Sequence, residues 1–251
     1  MICCGSVHLN STEKKKYSVS IITSLYKGDK FIDGFMKDIV QQTIFDQCEL
    51  ILINANSPEN EEQVIQPYLT KYPNIKYIKL VSDPGLYAVW NMAIRMATAP
   101  FITNANVDDR LAFDCHEIHK KALEANPHID LVYSDMLVTH VPNETFLTTT
   151  SKKVYGLPQF SKKNMRMCIM GNHPMWRKSM HQKHGYFDEA YKSSGDYEMW
   201  LRAVEGGSQF KRIDGIYGLY YSNPEGLSTR PGSIGRQEHT RIVAKYQSLF
   251  K

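Results

Sequence analysis

The sequence has 251 residues, a hydrophobic fraction of 42% and a formal net charge of +4. This length suffices for one large or two small domains, whose cores need neither a disulfide nor a metal to hold them. A charged fraction of 22% excludes a disordered chain and a coiled coil. The small positive charge suits an anionic small ligand, but it is too weak to indicate nucleic acid.

Cysteine usage and the N-terminus indicate the compartment. The cysteines number five, an odd count without a CxxC spacing, which favours a reducing compartment over a disulfide framework. Residues 1–16 are polar, and we expect a flexible tail there rather than a signal peptide. Cys3 and Cys4 ahead of three lysines would also suit a lipidated basic anchor, the less favoured interpretation. With no transmembrane segment indicated, we expect a cytoplasmic protein whose membrane contact, if any, is peripheral.

Strand and helix patterns alternate along the first 110 residues. Buried strands are predicted from four largely apolar runs, most of them rich in β-branched residues: Tyr17–Leu25, Glu49–Ala55, Ile75–Val81 and Pro100–Ala105. A helix is predicted after each of the first three strands: over Lys30–Gln42, from Ser57-Pro58 and from Ser82-Asp83-Pro84. This alternation predicts a Rossmann-like, mostly parallel central sheet with helices on both faces.

After Ala112 the pattern is less regular. Helices are predicted over Phe113–Ala125, Gly195–Glu205 and Ser233–Lys251. Strands are predicted over Ile129–Thr139, Glu144–Thr149 and Phe210–Tyr221. The residues between Val154 and Arg177 give no clear prediction.

Polar residues collect where the fourth predicted strand ends. In parallel sheets, ligands bind outside the carboxyl ends of the strands. Asn106, Asp108 and Asp109 lie there within four residues, and hard divalent cations prefer such oxygen ligands. A solvated turn is the alternative that these residues leave open, but their position favours a cation site.

A second signal is Asp196, at the start of the predicted helix Gly195–Glu205. The simple interpretation is a helix cap, which would lower the pKa of the carboxyl and weaken it as a base. A catalytic base would instead need a semi-enclosed apolar site, for which Tyr197 and Trp200 offer walls. The residues alone leave the two interpretations equal.

Other motifs are absent or weak. The sequence has neither GxGxxG nor GxxxxGK[ST], which disfavours a nicotinamide dehydrogenase and a P-loop NTPase. The run Cys115-His116-Glu117-Ile118-His119 offers metal-binding side chains, but it has no clear fourth ligand and is not favoured as a zinc site. Considered singly, His173 is expected to be a surface or packing residue.

Three segments together resemble family 2 glycosyltransferases of the GT-A fold. They are VSIITSLYKGDKF (19–31), DPGLYAVWNMAIRMATAPFITNANVDDR (83–110) and GDYEMWLR (195–202). The resemblance covers roughly Tyr17 to Phe210. It implies one α/β domain over 17–251, with a nucleotide-binding half to about residue 110 and an acceptor-binding half over 111–251.

The resemblance also implies roles for individual positions. Asp196 would be the general base, and Asp108 and Asp109 would bind Mn²⁺ or Mg²⁺. Nucleotide contacts are implied for Thr23, Ser24, Tyr26, Asn54, Asp83, Asn91, Asn106 and Asp108. On the acceptor side we expect Asn172, His173 and Trp200. Because Asn54 and Asn106 stand where the family often has acids, the nucleotide preference stays open.

The implied reaction moves a sugar from a nucleotide-diphosphate sugar, with UDP favoured, to a hydroxyl of a glycan, lipid-linked or protein acceptor. The cation would neutralise the leaving diphosphate. One carboxylate base implies a single in-line displacement, which inverts the sugar carbon. The alternatives are a non-catalytic sugar-nucleotide-binding protein and a metal-dependent nucleotide-sugar hydrolase. A nucleotidyltransferase is less favoured, because the loop after the first strand has a single glycine.

Overall fold

The computed structural model describes residues 16–251, whose strands all belong to one nine-stranded sheet. The tail expected over residues 1–16, with Cys3 and Cys4, lies outside the described residues apart from Lys16. None of the helices within 16–251 has the length and apolarity needed to cross a membrane.

The first half alternates strands and helices as expected. Its strands are β1 (Val19–Leu25), β2 (Cys48–Asn54), β3 (Ile75–Lys79) and β4 (Phe101–Asn104). Its helices are α1 (Asp29–Val40), α2 (Glu61–Lys71) and α3 (Leu86–Met96). The four strands run parallel, with β1 between β2 and β4 and with β3 beyond β2. Their carboxyl ends therefore meet at one edge of the sheet.

Helices cover both faces of these parallel strands. Because side chains alternate along a strand, Ile21 and Leu50 face one side while Ile22 and Ile51 face the other. The apolar stripe of α1, which includes Phe35, packs on the first side, and the stripe of α3 packs on the second. β2 is buried along its whole length, as expected for a strand covered on both faces.

The second half continues the same sheet. Its strands are β5 (Arg110–Leu111), β6 (Leu131–Thr139), β7 (Val154–Tyr155), β8 (Met175–Arg177) and β9 (Phe210–Tyr221). Its helices are α4 (Cys115–Glu124), α5 (Ser179–His184), α6 (Gly195–Glu205) and α7 (Gly235–Lys245). Short 3-10 turns occupy Phe45–Gln47, Asn164–Arg166 and Gln247–Phe250. The order across the sheet is β3-β2-β1-β4-β8-β6-β9-β5, with β7 beside β6.

Strand β8 joins the two halves. It pairs antiparallel with β4 on one side and with β6 on the other, while β6 and β9 run parallel. The strands of both predicted halves thus share one sheet, and β9 ends near the turn that follows β4.

The predicted strand over Glu144–Thr149 is wrong, because these residues form turns. The hydroxyl of Thr149 donates to Glu144 Oε2 at 3.0 Å, and the Thr145 backbone N–H donates to Thr148 Oγ1 at 2.9 Å. The threonine-rich run resembles a strand in sequence, but its hydroxyls bind neighbouring groups and stabilise turns instead.

Helix α2 begins at Glu61, later than the expected start at Ser57. The Ser57 hydroxyl donates to Glu61 Oε1 at 2.6 Å and accepts the backbone N–H of Lys27 at 3.0 Å. Ser57 therefore ties the loop after β2 to the loop after β1, rather than capping the helix.

Candidate active site

A buried carboxylate lies in the turn that follows β4. Asp109 is 7% exposed, and donors from three parts of the chain surround it. Its Oδ1 accepts the backbone N–H of Tyr221, the last residue of β9, at 2.9 Å. Its Oδ2 accepts the Asn106 side-chain amide at 3.0 Å and the Asn172 side-chain amide. The turn is therefore fixed both to β9 and to the segment before β8.

The neighbouring Asp108 is more open. It is half-buried, and its Oδ2 accepts the Asn223 side-chain amide at 3.0 Å, which leaves Oδ1 open within the described residues. Burial first, and then the Asp108 charge, raise the pKa of Asp109 to about 7, although its three donors act in the opposite direction. Two adjacent carboxylates fit a hard divalent cation such as Mg²⁺ or Mn²⁺. Asp108 offers the open oxygen, and Asp109 lies behind it as a buried anchor.

The Arg110 guanidinium holds the same turn from the interior. It is 1% exposed, and its Nη1 donates to the carbonyl oxygens of Val107 and Asp109 at 2.9 and 2.6 Å. Its Nη2 donates to the Phe31 carbonyl at 3.1 Å and to Asn143 Oδ1 at 2.5 Å. One side chain thus links the turn to α1 and to the loop after β6.

We expect Arg110→Ala to lower the free energy of unfolding by about 3 kcal/mol, because it leaves several buried acceptors without donors. Urea denaturation measures the change. The matched control is Arg241→Ala, at an exposed position of α7, for which we expect a change within about 0.5 kcal/mol. Equal urea midpoints for the two variants would show that Arg110 does not support the turn.

The second carboxylate is at the start of α6. The Tyr87 hydroxyl donates to Asp196 Oδ1 at 3.1 Å. Burial raises the pKa of Asp196, and hydrogen bonds from the Tyr197 backbone and from Tyr87 oppose this rise. Asp196 does not cap α6, whose N-cap residue is Ser194. Asp196 still accepts a backbone N–H of the first turn, but burial outweighs this hydrogen bond, and the raised pKa suits a base better than the lowered pKa expected of a cap.

Both carboxylate sites lie at the edge of the sheet where the parallel strands end. Asp109 is in the turn that follows the carboxyl end of β4. Tyr87, whose hydroxyl donates to Asp196, is in the first turn of α3, just after the carboxyl end of β3. Because β3 and β4 run parallel in one sheet, the structure places Asp109 and Asp196 on the same side of the molecule.

Four of the residues expected at the nucleotide lie at the end of β1, in the loop after it and in the turn before α3. Thr23 is buried, and its Oγ1 has no hydrogen-bond partner within residues 16–251. Ser24 is half-buried and Tyr26 is 46% exposed. Asp83 is exposed and accepts the backbone N–H of Gly85 at 2.8 Å. The side chains of Tyr26 and Asp83 are therefore the most open to a ligand.

The amides of Asn54 and Asn91, also expected at the nucleotide, are used inside the protein. Asn54 donates to the Tyr77 hydroxyl at 3.1 Å and accepts the Ser57 N–H at 2.7 Å. Asn91 donates to the Phe187 carbonyl at 2.8 Å and accepts the N–H of the same residue at 3.0 Å. Each asparagine is 1% exposed. Their nucleotide roles stay predictions, whereas their contacts show that they shape the surrounding loops.

Trp200 and His173, expected on the acceptor side, are buried in the structure, and their acceptor roles stay predictions. Trp200 is 1% exposed and packs against the rings of Trp176 and Phe187. His173 is 2% exposed, and its Nδ1 lies 2.8 Å from Asn172 Oδ1. Asn172 is half-buried, and its amide supports the turn after β4. In the structure these three side chains form part of the scaffold around the site.

Sequence reasoning missed four residues of the site: Tyr87, Arg110, Tyr221 and Asn223. Tyr87 and Arg110 lie inside the segment 83–110, on which the family resemblance rests, so their position in that segment could have indicated a role at the site. Tyr221 and Asn223 come to the site from the end of β9, and no local pattern marked them.

A buried group of possible metal ligands lies behind the site. Cys115, His119 and His173 place their ligand atoms within 4.8 Å of one another, whereas His116 does not join them. The Nε2 atoms of His119 and His173 lie 3.1 and 3.0 Å from the Ser134 hydroxyl. Because Ser134 engages both imidazoles, we assign these histidines to hydrogen bonding rather than to a zinc site.

The sequence profile of "Glycosyl transferase family 2" matches residues 20–185. Since the match covers more than half of the chain, the chain belongs to this family and is a glycosyltransferase. The predicted family and the predicted GT-A fold class are thereby confirmed.

The chain is similar to other proteins over different fractions of their length. An uncharacterized glycosyltransferase of Methanocaldococcus jannaschii, MJ1057, is 25% identical over 203 residues, which are 80% of this chain and 70% of that protein. The hyaluronan synthase of Pasteurella multocida is 25% identical over 235 residues, which are 92% of this chain but 23% of the synthase. The chain therefore corresponds to a small part of the synthase.

Solved structures share the fold at low sequence identity. S. aureus TarS 1-349 in complex with UDP-GlcNAc has a TM-score of 0.73 at 17% identity, over 92% of this chain and 66% of that one. The mannosyltransferase PcManGT of Pyrobaculum calidifontis, in complex with GDP-Man and Mn²⁺, has a TM-score of 0.70 at 13% identity. That match covers 97% of this chain and 68% of the mannosyltransferase. The chain thus spans about two thirds of either solved structure.

Proposed function

We propose that this chain transfers a sugar from a nucleoside-diphosphate sugar to an acceptor hydroxyl, with inversion at the sugar carbon. The observation that carries the proposal is that Asp109, after β4, and Asp196, held by Tyr87 just after β3, lie at the same edge of the parallel sheet. The complexes of two proteins with this fold, one with UDP-GlcNAc and one with GDP-Man, support a donor of this class.

Asp108 is the residue that we expect to hold the divalent cation, through its open oxygen. When bound, Mn²⁺ or Mg²⁺ would stabilise the negative charge that develops on the leaving diphosphate. Asp109 adds a second carboxyl group and, through its three donors, fixes the turn that carries Asp108. The Mn²⁺ in the Pyrobaculum complex supports this role for the site.

Asp196 is the proposed general base. The acceptor oxygen attacks the sugar carbon, its proton passes to Asp196, and the bond from that carbon to the diphosphate breaks with its electron pair on the diphosphate. The Tyr87 hydroxyl donates to Oδ1 of Asp196 and so holds the carboxylate that takes the proton. One displacement by one base inverts the configuration.

We expect Tyr87→Phe to lower kcat by about 10- to 100-fold, because a hydrogen bond to a charged group contributes about 1.5–3 kcal/mol. It should also move the pH profile of kcat to higher pH, since the lost donor no longer lowers the pKa of Asp196. Tyr246→Phe is the matched control, because the Tyr246 hydroxyl donates to another buried carboxylate, Glu198, at 2.7 Å. A shift of the pH profile in both variants, or in neither, would contradict the proposed role of Tyr87.

A panel of UDP- and GDP-linked sugars, each with and without Mn²⁺, tests the function. We expect thermal stabilisation by a donor only with Mn²⁺, because a ligand that binds only the folded state raises its stability. A donor that stabilises the protein is then incubated without any acceptor. Release of free sugar at a rate equal to transfer would favour the hydrolase alternative, and binding without transfer to any tested glycan, lipid-linked or protein acceptor would favour the binding protein.

A further inference from the structure

A row of polar side chains, all buried except the half-buried Asn172, runs from Asp109 through the interior to α4. The Asn172 amide donates to Asp109 Oδ2, and Asn172 Oδ1 lies 2.8 Å from His173 Nδ1. His173 Nε2 lies 3.0 Å from the Ser134 hydroxyl, which is 3.1 Å from His119 Nε2. Four successive contacts therefore connect Asp109 to α4, a helix that carries none of the site residues.

The Asn172 amide determines the direction of every hydrogen bond in this row. All three groups around Asp109 are donors, so Asn172 presents its NH₂ group to the carboxyl group and its oxygen to His173. His173 must then carry its proton on Nδ1 and use Nε2 as an acceptor for the Ser134 O–H. The Ser134 oxygen in turn accepts the Nε2–H of His119. Any other tautomer of either histidine would place two donors or two acceptors face to face.

The packing holds the row in one arrangement. His119, Ser134 and His173 are 0, 1 and 2% exposed, and the two imidazole rings stack with their centroids 5.6 Å apart. Gly218 of β9 makes room for His173, because a Cβ atom there would lie 2.2 Å from the ring. Burial lowers the pKa of His173 to about 4, so the ring is neutral at pH 7, as the row requires.

We propose that His119, Ser134 and His173 are positioning residues, which fix the Asn172 amide and through it the Asp109 carboxylate. Within residues 16–251, none of the three forms a hydrogen bond with Asp108 or Asp196. Their role rests on the proposed function, because it concerns the turn that would present Asp108 to a cation. Removing a residue that hydrogen-bonds to a metal-binding side chain, and so orients it, typically lowers metal affinity about 10- to 100-fold.

Two measurements test this proposal without an activity assay. In the wild-type protein, long-range ¹H–¹⁵N NMR correlations report which nitrogen of each histidine is protonated, and we expect Nδ1–H for His173 and Nε2–H for His119. In Ser134→Ala, titration with Mn²⁺ followed by electron paramagnetic resonance should show affinity about tenfold weaker than in the wild type. The matched control is Ser20→Ala, since Ser20 is a buried strand serine whose hydroxyl donates to Glu49 at 2.6 Å, at the start of β1.

The outcomes separate this proposal from the proposed function. If the wild type binds no Mn²⁺, the proposed metal site fails, whatever the tautomers are. The positioning role is refuted if the wild type binds Mn²⁺ and Ser134→Ala binds it with the same affinity. It is also refuted if Ser134→Ala and the control Ser20→Ala lose Mn²⁺ affinity to the same extent. A His173 ring protonated on Nε2 refutes the row itself, even where the Ser134 variant does not fold.

Discussion

Replacing Asp196 by Asn should lower kcat by about 10²–10⁴-fold while nucleotide-sugar binding stays as in the wild type, because the base acts on the acceptor and not on the donor. Asparagine is nearly isosteric and can still accept the hydroxyl of Tyr87 at its oxygen. The scaffold at the start of α6 should therefore survive the change, and only the proton transfer should be lost.

Steady-state kinetics and calorimetric titration of the donor measure the two effects separately. Glu205→Gln, at the exposed last position of α6, is the control, and it should change neither quantity. In the wild type, activity should rise with pH through the raised pKa of Asp196, since the base must lose its proton before it can accept another. Transfer that persists in Asp196→Asn would assign the base to another residue.

Replacing Asp108 by Asn should abolish the dependence of donor binding on Mn²⁺ and lower transfer by about 100-fold or more, an order typical of lost electrostatic stabilisation of the transition state. The physical reason is the loss of the one carboxylate oxygen that the described residues leave open at this turn. The Asn223 contact to Oδ2 can be kept by the amide oxygen, so folding should change little.

The matched comparison for this prediction is Asp109→Asn. All three hydrogen bonds at Asp109 come from donors, and an NH₂ group there must face one of them. We therefore expect Asp109→Asn to lower the free energy of unfolding by about 1–3 kcal/mol, whereas Asp108→Asn lowers metal affinity. Circular dichroism and Mn²⁺ titration on both variants check this division, and the reverse assignment of effects would contradict it.

Elements with long periodic patterns could be predicted from sequence. The predicted bounds of α6 and β9, Gly195–Glu205 and Phe210–Tyr221, agree with the structure. The short strands β5, β7 and β8 could not be predicted, because two or three residues carry no period. β8 exists because β4 and β6 offer it partners on both sides.

The same contrast holds at the site. Asp108, Asp109 and Asp196 could be predicted as site residues because strand ends and helix starts are readable from local sequence. The donors that hold Asp109 come from Asn172, 63 residues away, and from Tyr221, 112 residues away. Only the folded sheet brings such partners together.

The location of the cation tests the central claim most directly. Crystals grown with UDP and Mn²⁺, measured near the manganese absorption edge, show the ion by its anomalous scattering. We expect one peak within coordination distance of a carboxylate oxygen of Asp108, on the side of the turn that faces Asp196. A manganese peak bound elsewhere on the protein, with the turn after β4 unchanged and empty beside bound UDP, would contradict the account.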